Sequence, residues 1–179
     1  AMGVTRDKYY ASELIIGLND KSRESRLAAI QAVGMVEADD ALEKLTEIIN
    51  NSDYQDERLA ATMSIGFIGN ASSIPLLEEL LEDEEPNIRW DAAIALAKMG
   101  EKSSIPIIEN LMDREYLSSF SELDYNEVNK VLMIAIEASR MVQNSRFETK
   151  LNALAKDDEN LKIRDAAIKT LKISYNKVI

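Results

Sequence analysis

Carboxylates dominate the chemistry open to this chain. Fourteen of them fall between residues 37 and 85, against only Lys44 and Arg58, so that segment sums to −12 in a chain whose total is −11. Clustered carboxylates can move protons, hold a hard cation, or attract a basic segment of another protein. The sequence contains no histidine and no cysteine. The commonest general base, the commonest metal ligand, the thiol nucleophile and the thiolate metal site are therefore all missing, and there is no disulfide framework. The densest acidic run, EDEEPN at 82–87, lacks the Asp/Asn alternation and the glycine of an EF-hand and reads as helix-capping acids. No phosphate loop, dinucleotide fingerprint or nucleophile elbow is present. The expectation is a non-enzymatic chain with no cofactor and no metal. A phosphate backbone would be repelled by the acidic segment and a basic protein segment drawn to it, so the expected partner is protein, not nucleic acid.

The rest of the composition says what positions these groups. The 179 residues are 46% apolar and 30% charged, with only 6 Gly and 3 Pro, a balance that favours a helical domain with a real core. No apolar run approaches the ~18–20 residues of a membrane span, and no signal-peptide pattern opens the chain, which makes the cytoplasm the default expectation. The opening AMG looks like a tag-cleavage scar.

Two stretches 31 residues apart nearly repeat each other: ERLAATMSIGFIGNASSIPLLEELL from Glu57 and IRWDAAIALAKMGEKSSIPIIENLM from Ile88. Weaker copies begin at Ser25 and Ile163, and all four align on an arginine, Arg26, Arg58, Arg89 and Arg164. Ile88, Ala92, Leu96 and Met99 fall on one helical face, and Ile105, Ile108, Leu111 and Met112 on the next. Each unit is therefore two helices. The first ends near Gly69 or Gly100, where glycine suits a left-handed cap, and the second carries Pro75 or Pro106 in its first turn. Alanine pairs (Ala28-Ala29, Ala60-Ala61, Ala92-Ala93, Ala166-Ala167) suit close helix crossing. Asp20, Asp83 and Asp158 each stand six residues before an arginine, with Ser52 in that place before Arg58. These acids are expected to cap the first helices, and the arginines to form a structural ladder between stacked repeats in preference to an anion site.

The motif Arg-x-x-Ala-Ala/Thr-x-Ala/Ser-Leu/Ile-x-x-Ile/Met-Gly followed by Ser-Ser-Ile-Pro resembles the HEAT-repeat family, nearest the short alanine-rich type also found in phycobilisome lyase subunits. The resemblance covers roughly residues 8–175 and implies an all-α, right-handed solenoid of about five helix pairs, whose second helices line a concave face and whose usual work is binding other proteins. HEAT-type deoxyhypusine hydroxylases hold iron through histidines, which this sequence lacks. HEAT-type DNA glycosylases need a basic concave face, and this one is expected to be acidic. The expected layout is one domain. A capping helix occupies 8–19, repeats occupy 20–51, 52–83, 84–116 and 117–157, and a terminal helix and tail occupy 158–179. Helix pairs start near 20, 53, 86 and 123, and the register of the fourth copy, VNKVLMIAIEASRMV, is left open because it has no aligned arginine.

With the second helices as the lining, Glu43, Glu47, Glu78, Glu79, Glu82, Glu109, Asn110 and Asp113 become the candidate partner-binding residues, opening on an apolar end near Tyr9, Tyr10, Ile15 and Ile16. Two readings of the acidic row stand side by side: a solvated polar face, or a docking groove for a basic segment. The insertion DREYLSSFSELDY, 113–125, adds Tyr116 and Phe120 as candidates, or else its aromatics fill a misfit between repeats. Trp90 reads as a packing residue, with an exposed hot spot as the alternative. The last helix has no second helix after it, which makes self-association through it a further expectation. The function expected is a protein-binding scaffold; the alternative is an accessory subunit or lyase-like chaperone of a cofactor-bearing protein or enzyme.

Overall fold

The computed structural model describes residues 10–176. Their regular structure is helical, eleven α-helices and several 3-10 turns, with no strand among the described residues. The chain divides into two compact units between Ala95 and Leu96.

The first unit holds α1 (Ala11–Gly17), α2 (Arg23–Met35), α3 (Leu42–Asn51), α4 (Gln55–Ile68), α5 (Ile74–Glu79, extended by a 3-10 turn over Leu80–Glu82) and most of α6 (Pro86–Lys98). The helix expected over 8–19 is thus the shorter α1, and Lys8 and Tyr9 lie outside the described residues. Small side chains let the first helices of successive repeats approach closely. A Cβ added at Gly34 of α2 would stand 2.7 Å from Ser64 Oγ of α4, and one at Gly66 would stand 2.8 Å from the Ala95 Cβ of α6. Ser64 Oγ donates to the Ile30 carbonyl at 2.7 Å, satisfying the one polar group at this crossing. Of the alanine pairs, Ala60, Ala61, Ala92 and Ala93 are buried with Ala29, whereas Ala28 faces solvent. Trp90 is 5% exposed and packs in the interior. Gly69 ends α4 with φ 66°, the left-handed conformation that glycine adopts without a Cβ penalty. Pro75 lies in the first turn of α5, where its missing N–H is not needed.

The second unit takes up the end of α6 and continues through α7 (Ile105–Leu111), α8 (Arg114–Ser118), α9 (Tyr125–Met141), α10 (Ser145–Asp157) and α11 (Leu161–Tyr175). Ile105, Ile108, Leu111 and Met112 form the buried side of α7, as the spacing requires. The insertion contains a helix of its own, α8, whose Leu117 is fully buried. The fourth repeat is α9 with α10. Its start is fixed by a capping box between Asp124 and Glu127. Arginine occupies the fourth position of α2, α4, α6 and α11, but in α9 that position is the buried Val128. Leu132, Ile136, Phe147, Leu151, Ile163 and Leu171 make the core here. The Tyr175 hydroxyl sits 3.3 Å from the carbonyls of Ser139 and Asn144, anchoring the end of α11 to the α9–α10 turn.

Candidate functional site

The predicted arginines and acids meet at the turns between repeats. Arg26 sends two N–H bonds to Glu57 Oε1, at 3.0 and 2.7 Å, and a third to the Asp20 carbonyl at 3.0 Å. Arg58 reaches Asp83 Oδ2 at 2.5 Å and the Ile49 carbonyl at 2.9 Å. Arg89 donates to the carbonyls of Asp83 and Glu84 at 2.6 and 3.0 Å, and Arg164 donates through Nε to the carbonyl of Asp158. Each guanidinium therefore donates to a carbonyl in or just before the turn that precedes its own helix, tying the two together. The aspartates do not cap the helices directly. Asp20, Asp83 and Asp158 each accept the backbone N–H two residues on, from Ser22, Glu85 and Asn160, at 2.7, 2.9 and 2.8 Å. These are Asx turns just outside the helix, and in α2 and α11 the cap itself is Ser22 or Asn160.

Two members of this network carry no mark in the repeat pattern. Where Ser52 replaces the aspartate, its Oγ accepts Tyr54 N–H at 3.2 Å and donates to Glu57 Oε2 at 2.8 Å, so the buried Glu57 supplies the missing carboxylate from one turn along. Where α9 lacks the arginine, Arg114 of α8 supplies it. Arg114 grips Asp158 with two bonds of 2.9 Å and holds Asn129 Oδ1 at 2.8 Å. Burial is the largest influence on the Arg114 charge and opposes it, but Asp158, Glu159 and Tyr125 together outweigh burial, so the guanidinium pKa is raised.

The acidic row behaves differently in the two units. In the first, Glu43 and Glu47 are exposed on α3, and Glu47 is bridged at 2.5 Å by Lys44 of its own helix. On α5 and its extension Leu77 and Leu80 are buried while Glu78, Glu79 and Glu82 face solvent. Among the described residues these three and Glu84 have no ion-pair partner. Glu79, Glu82 and Glu84 stand with Ile49, Asn50 and Leu76 around an open hollow of about 620 Å³. Glu47 belongs to a neighbouring hollow of about 430 Å³ that meets the first at Ser52. There the Tyr54 ring is covered by Arg23, 4.6 Å from its centroid.

In the second unit the chain neutralises its own row. Arg146 of α10 bridges Glu109 at 2.8 Å, and Lys150, one turn on, bridges Asp113 at 2.6 Å; Asn110 stays exposed. Asp113 also caps α8, accepting the N–H groups of Glu115 and Tyr116 at 3.0 and 3.2 Å. Lys150 and these N–H groups hold its carboxyl below the ordinary aspartate value despite partial burial. Tyr116 and Phe120 are half-buried and pack edge to face, centroids 5.2 Å apart. Tyr10 and Ile16, the expected apolar end, are 58% and 68% exposed. Among the described residues no three carboxylates converge as they would around a metal ion, and no helix is long and apolar enough to cross a membrane.

Stacked helix pairs joined by arginine-stapled turns are the build of a repeat solenoid, and residues 51–118 match the family described as HEAT repeats. This stretch is HEAT-repeat sequence. Among solved structures the chain resembles the complex of CpcE and CpcF of phycocyanin lyase from Nostoc sp. PCC7120, with a TM-score of 0.71 and 16% identity over 93% of this chain. The match covers 65% of that chain's length, and at this identity it shows a shared HEAT-repeat solenoid fold. No curated protein matches. Within this HEAT frame the resemblance read from the motif holds, and the structure adds α8 and the two ladder substitutes, Glu57 and Arg114. Both have sequence signals in retrospect: an acid following a missing aspartate, and an arginine directly after the acid that ends a second helix.

Proposed function

We propose that this HEAT-repeat chain is a non-catalytic scaffold that binds another protein, and that it takes a lysine- or arginine-bearing segment in the acidic hollow beside α3 and α5. The observation carrying this reading is the contrast between the two units. Acids equivalent in sequence, Glu78 with Glu109 and Glu82 with Asp113, are met by the chain's own cations in the second unit and left open in the first. Glu79 and Glu82 would steer and hold the basic side chains, and the half-buried Leu76 gives an apolar contact beside them. Within the second unit the committed carboxylates of Glu109 and Asp113 would be weaker contacts, with Tyr116 and Phe120 as further candidates there. The test is capture of partners from the source lysate at low and high salt, comparing the wild type with Glu47→Lys/Glu79→Lys/Glu82→Lys at equal helicity. A partner held by the wild type, weakened by salt and lost from the variant is the expected result. Equal capture by both would make the hollow a solvated face.

The fold shared with the phycocyanin lyase complex supports a second reading, an accessory or chaperone subunit of a cofactor-bearing protein or enzyme. A captured partner that carries a chromophore or other cofactor would distinguish it from a plain scaffold.

A further inference from the structure

We propose that the outer face of α11 docks into the acidic hollow of a second copy of this chain, so that copies associate head to tail. The inference rests on the hollow being a receptor for basic segments, and it names one. α11 is the most cationic helix of the chain: Lys162, Arg164, Lys169 and Lys172 against Asp165 alone. Arg164 is committed to the Asp158 carbonyl, and Lys169 bridges Asp165 one turn back at 2.6 Å, while Lys162 and Lys172 have no ion-pair partner among the described residues. At 100° per residue Leu161, Lys162, Asp165, Lys169, Lys172 and Ile173 share one outward arc of about 120°. Leu161 is 72% exposed and Ile173 67%, so an apolar residue stands at each end of a lysine stripe.

The two faces complement each other in charge and spacing. Lys169 and Lys172 are three apart on α11, about 4.5 Å along its axis, and Glu79 and Glu82 are three apart across the 3-10 extension of α5, about 6 Å along its axis, a difference that long lysine side chains span. With these pairs facing, Ile173 falls beside the lysines as the half-buried Leu76 falls beside the glutamates. Copies carrying −11 each repel one another at random approach, and a contact that sets α11 against the hollow reverses the sign locally. The two surfaces are different, so the contact is heterologous and each copy keeps one free face of either kind.

The test is the weight-average mass by sedimentation or light scattering. The wild type is expected to exceed 20.1 kDa increasingly with concentration and to return to it in high salt. Lys169→Gln/Lys172→Gln and Glu79→Gln/Glu82→Gln, each checked for unchanged helicity, should each lose the growth. Mixed in equal amounts they should form pairs and nothing larger, because only one productive junction remains. A wild-type mass of 20.1 kDa at every concentration, or a mixture that stays monomeric, overturns the inference. If that happens while Glu79→Gln/Glu82→Gln still abolishes capture of a lysate protein, the hollow is a receptor for another protein and only self-docking fails. If that variant alters neither mass nor capture, the reading of the hollow fails with it.

Discussion

Arg114 and Asp158, 44 residues apart, form the most enclosed ion pair among the described residues: two N–H···O bonds of 2.9 Å to a carboxylate whose side chain is 2% exposed. Every other staple of this kind uses an arginine in a first helix; this one borrows its arginine from the insertion. The insertion is thereby tied to the start of α11, and α8 becomes part of the stack. Removing one partner leaves a buried charge without its counter-charge, which is worth more than the net value of the pair. Arg114→Ala is expected to cost about 3 kcal/mol, read as a lowered midpoint in urea unfolding. A cost below about 0.5 kcal/mol would show that α8 is dispensable to the second unit.

The sequence made some of this visible and hid the rest for a physical reason. Gly69, Gly100, Pro75 and Pro106 obey rules that act within one turn of backbone, and all four sit where those rules place them. The small residues of α2, α4 and α6 mark close crossings because any larger side chain would collide. Glu57 and Arg114 replace ladder groups from other positions in the chain, and periodicity has no term for substitution at a distance. The pairing of Glu109 and Asp113 with cations depends on α10, which meets α7 only through the fold. The charge count confines the acidic excess to residues 37–85, and which acids beyond it are paired is set by contacts between helices distant in sequence.

Asp113 gives a pH dependence of known sign. Its carboxyl titrates below the ordinary aspartate value, held down first by Lys150 and then by the α8 N–H groups. The folded state binds that proton less readily than the unfolded chain, so the pair's contribution is complete above the ordinary aspartate range and is lost as pH falls through the lowered value. Asp113→Asn keeps a capping side chain for α8 and removes the charge. Unfolding midpoints followed downward from pH 6 should fall less steeply for the variant than for the wild type. Parallel curves would mean that the Lys150 bridge contributes nothing in solution.

Gly34 and Gly100 separate steric from conformational demands. At Gly34 an added Cβ meets both Ser64 Oγ and Ser64 Cα, at 2.7 and 2.8 Å, and backbone cannot swing aside as a side chain tip can. Gly34→Ala should cost about 1–3 kcal/mol despite alanine's better helix propensity. At Gly100 nothing lies within 4 Å, but φ is 82°, so Gly100→Ala should cost about 1 kcal/mol through backbone strain alone. Thermal unfolding of the two variants checks both, and a stabilised Gly34→Ala would mean that α2 and α4 separate freely.

Ser52 and Glu57 provide a reversal of sign. Glu57 is the carboxylate that Arg26 grips, and Ser52 Oγ donates to its other oxygen at 2.8 Å. Glu57→Ala strands a half-buried guanidinium and should cost about 2 kcal/mol. Ser52→Asp in the native background sets a second carboxylate against the first beside one arginine, and should also destabilise through like-charge repulsion. In the Glu57→Ala background the same Ser52→Asp change restores the arrangement found at Asp83 and Asp158, an aspartate in an Asx turn receiving an arginine. There it should recover at least half of the loss. The double-mutant cycle, measured by urea unfolding, therefore carries a favourable coupling between two changes that are each harmful alone. Additive costs would mean that residue 52 lies too far from Arg26 for an aspartate to take over, and that Glu57 fills a place unique to this repeat.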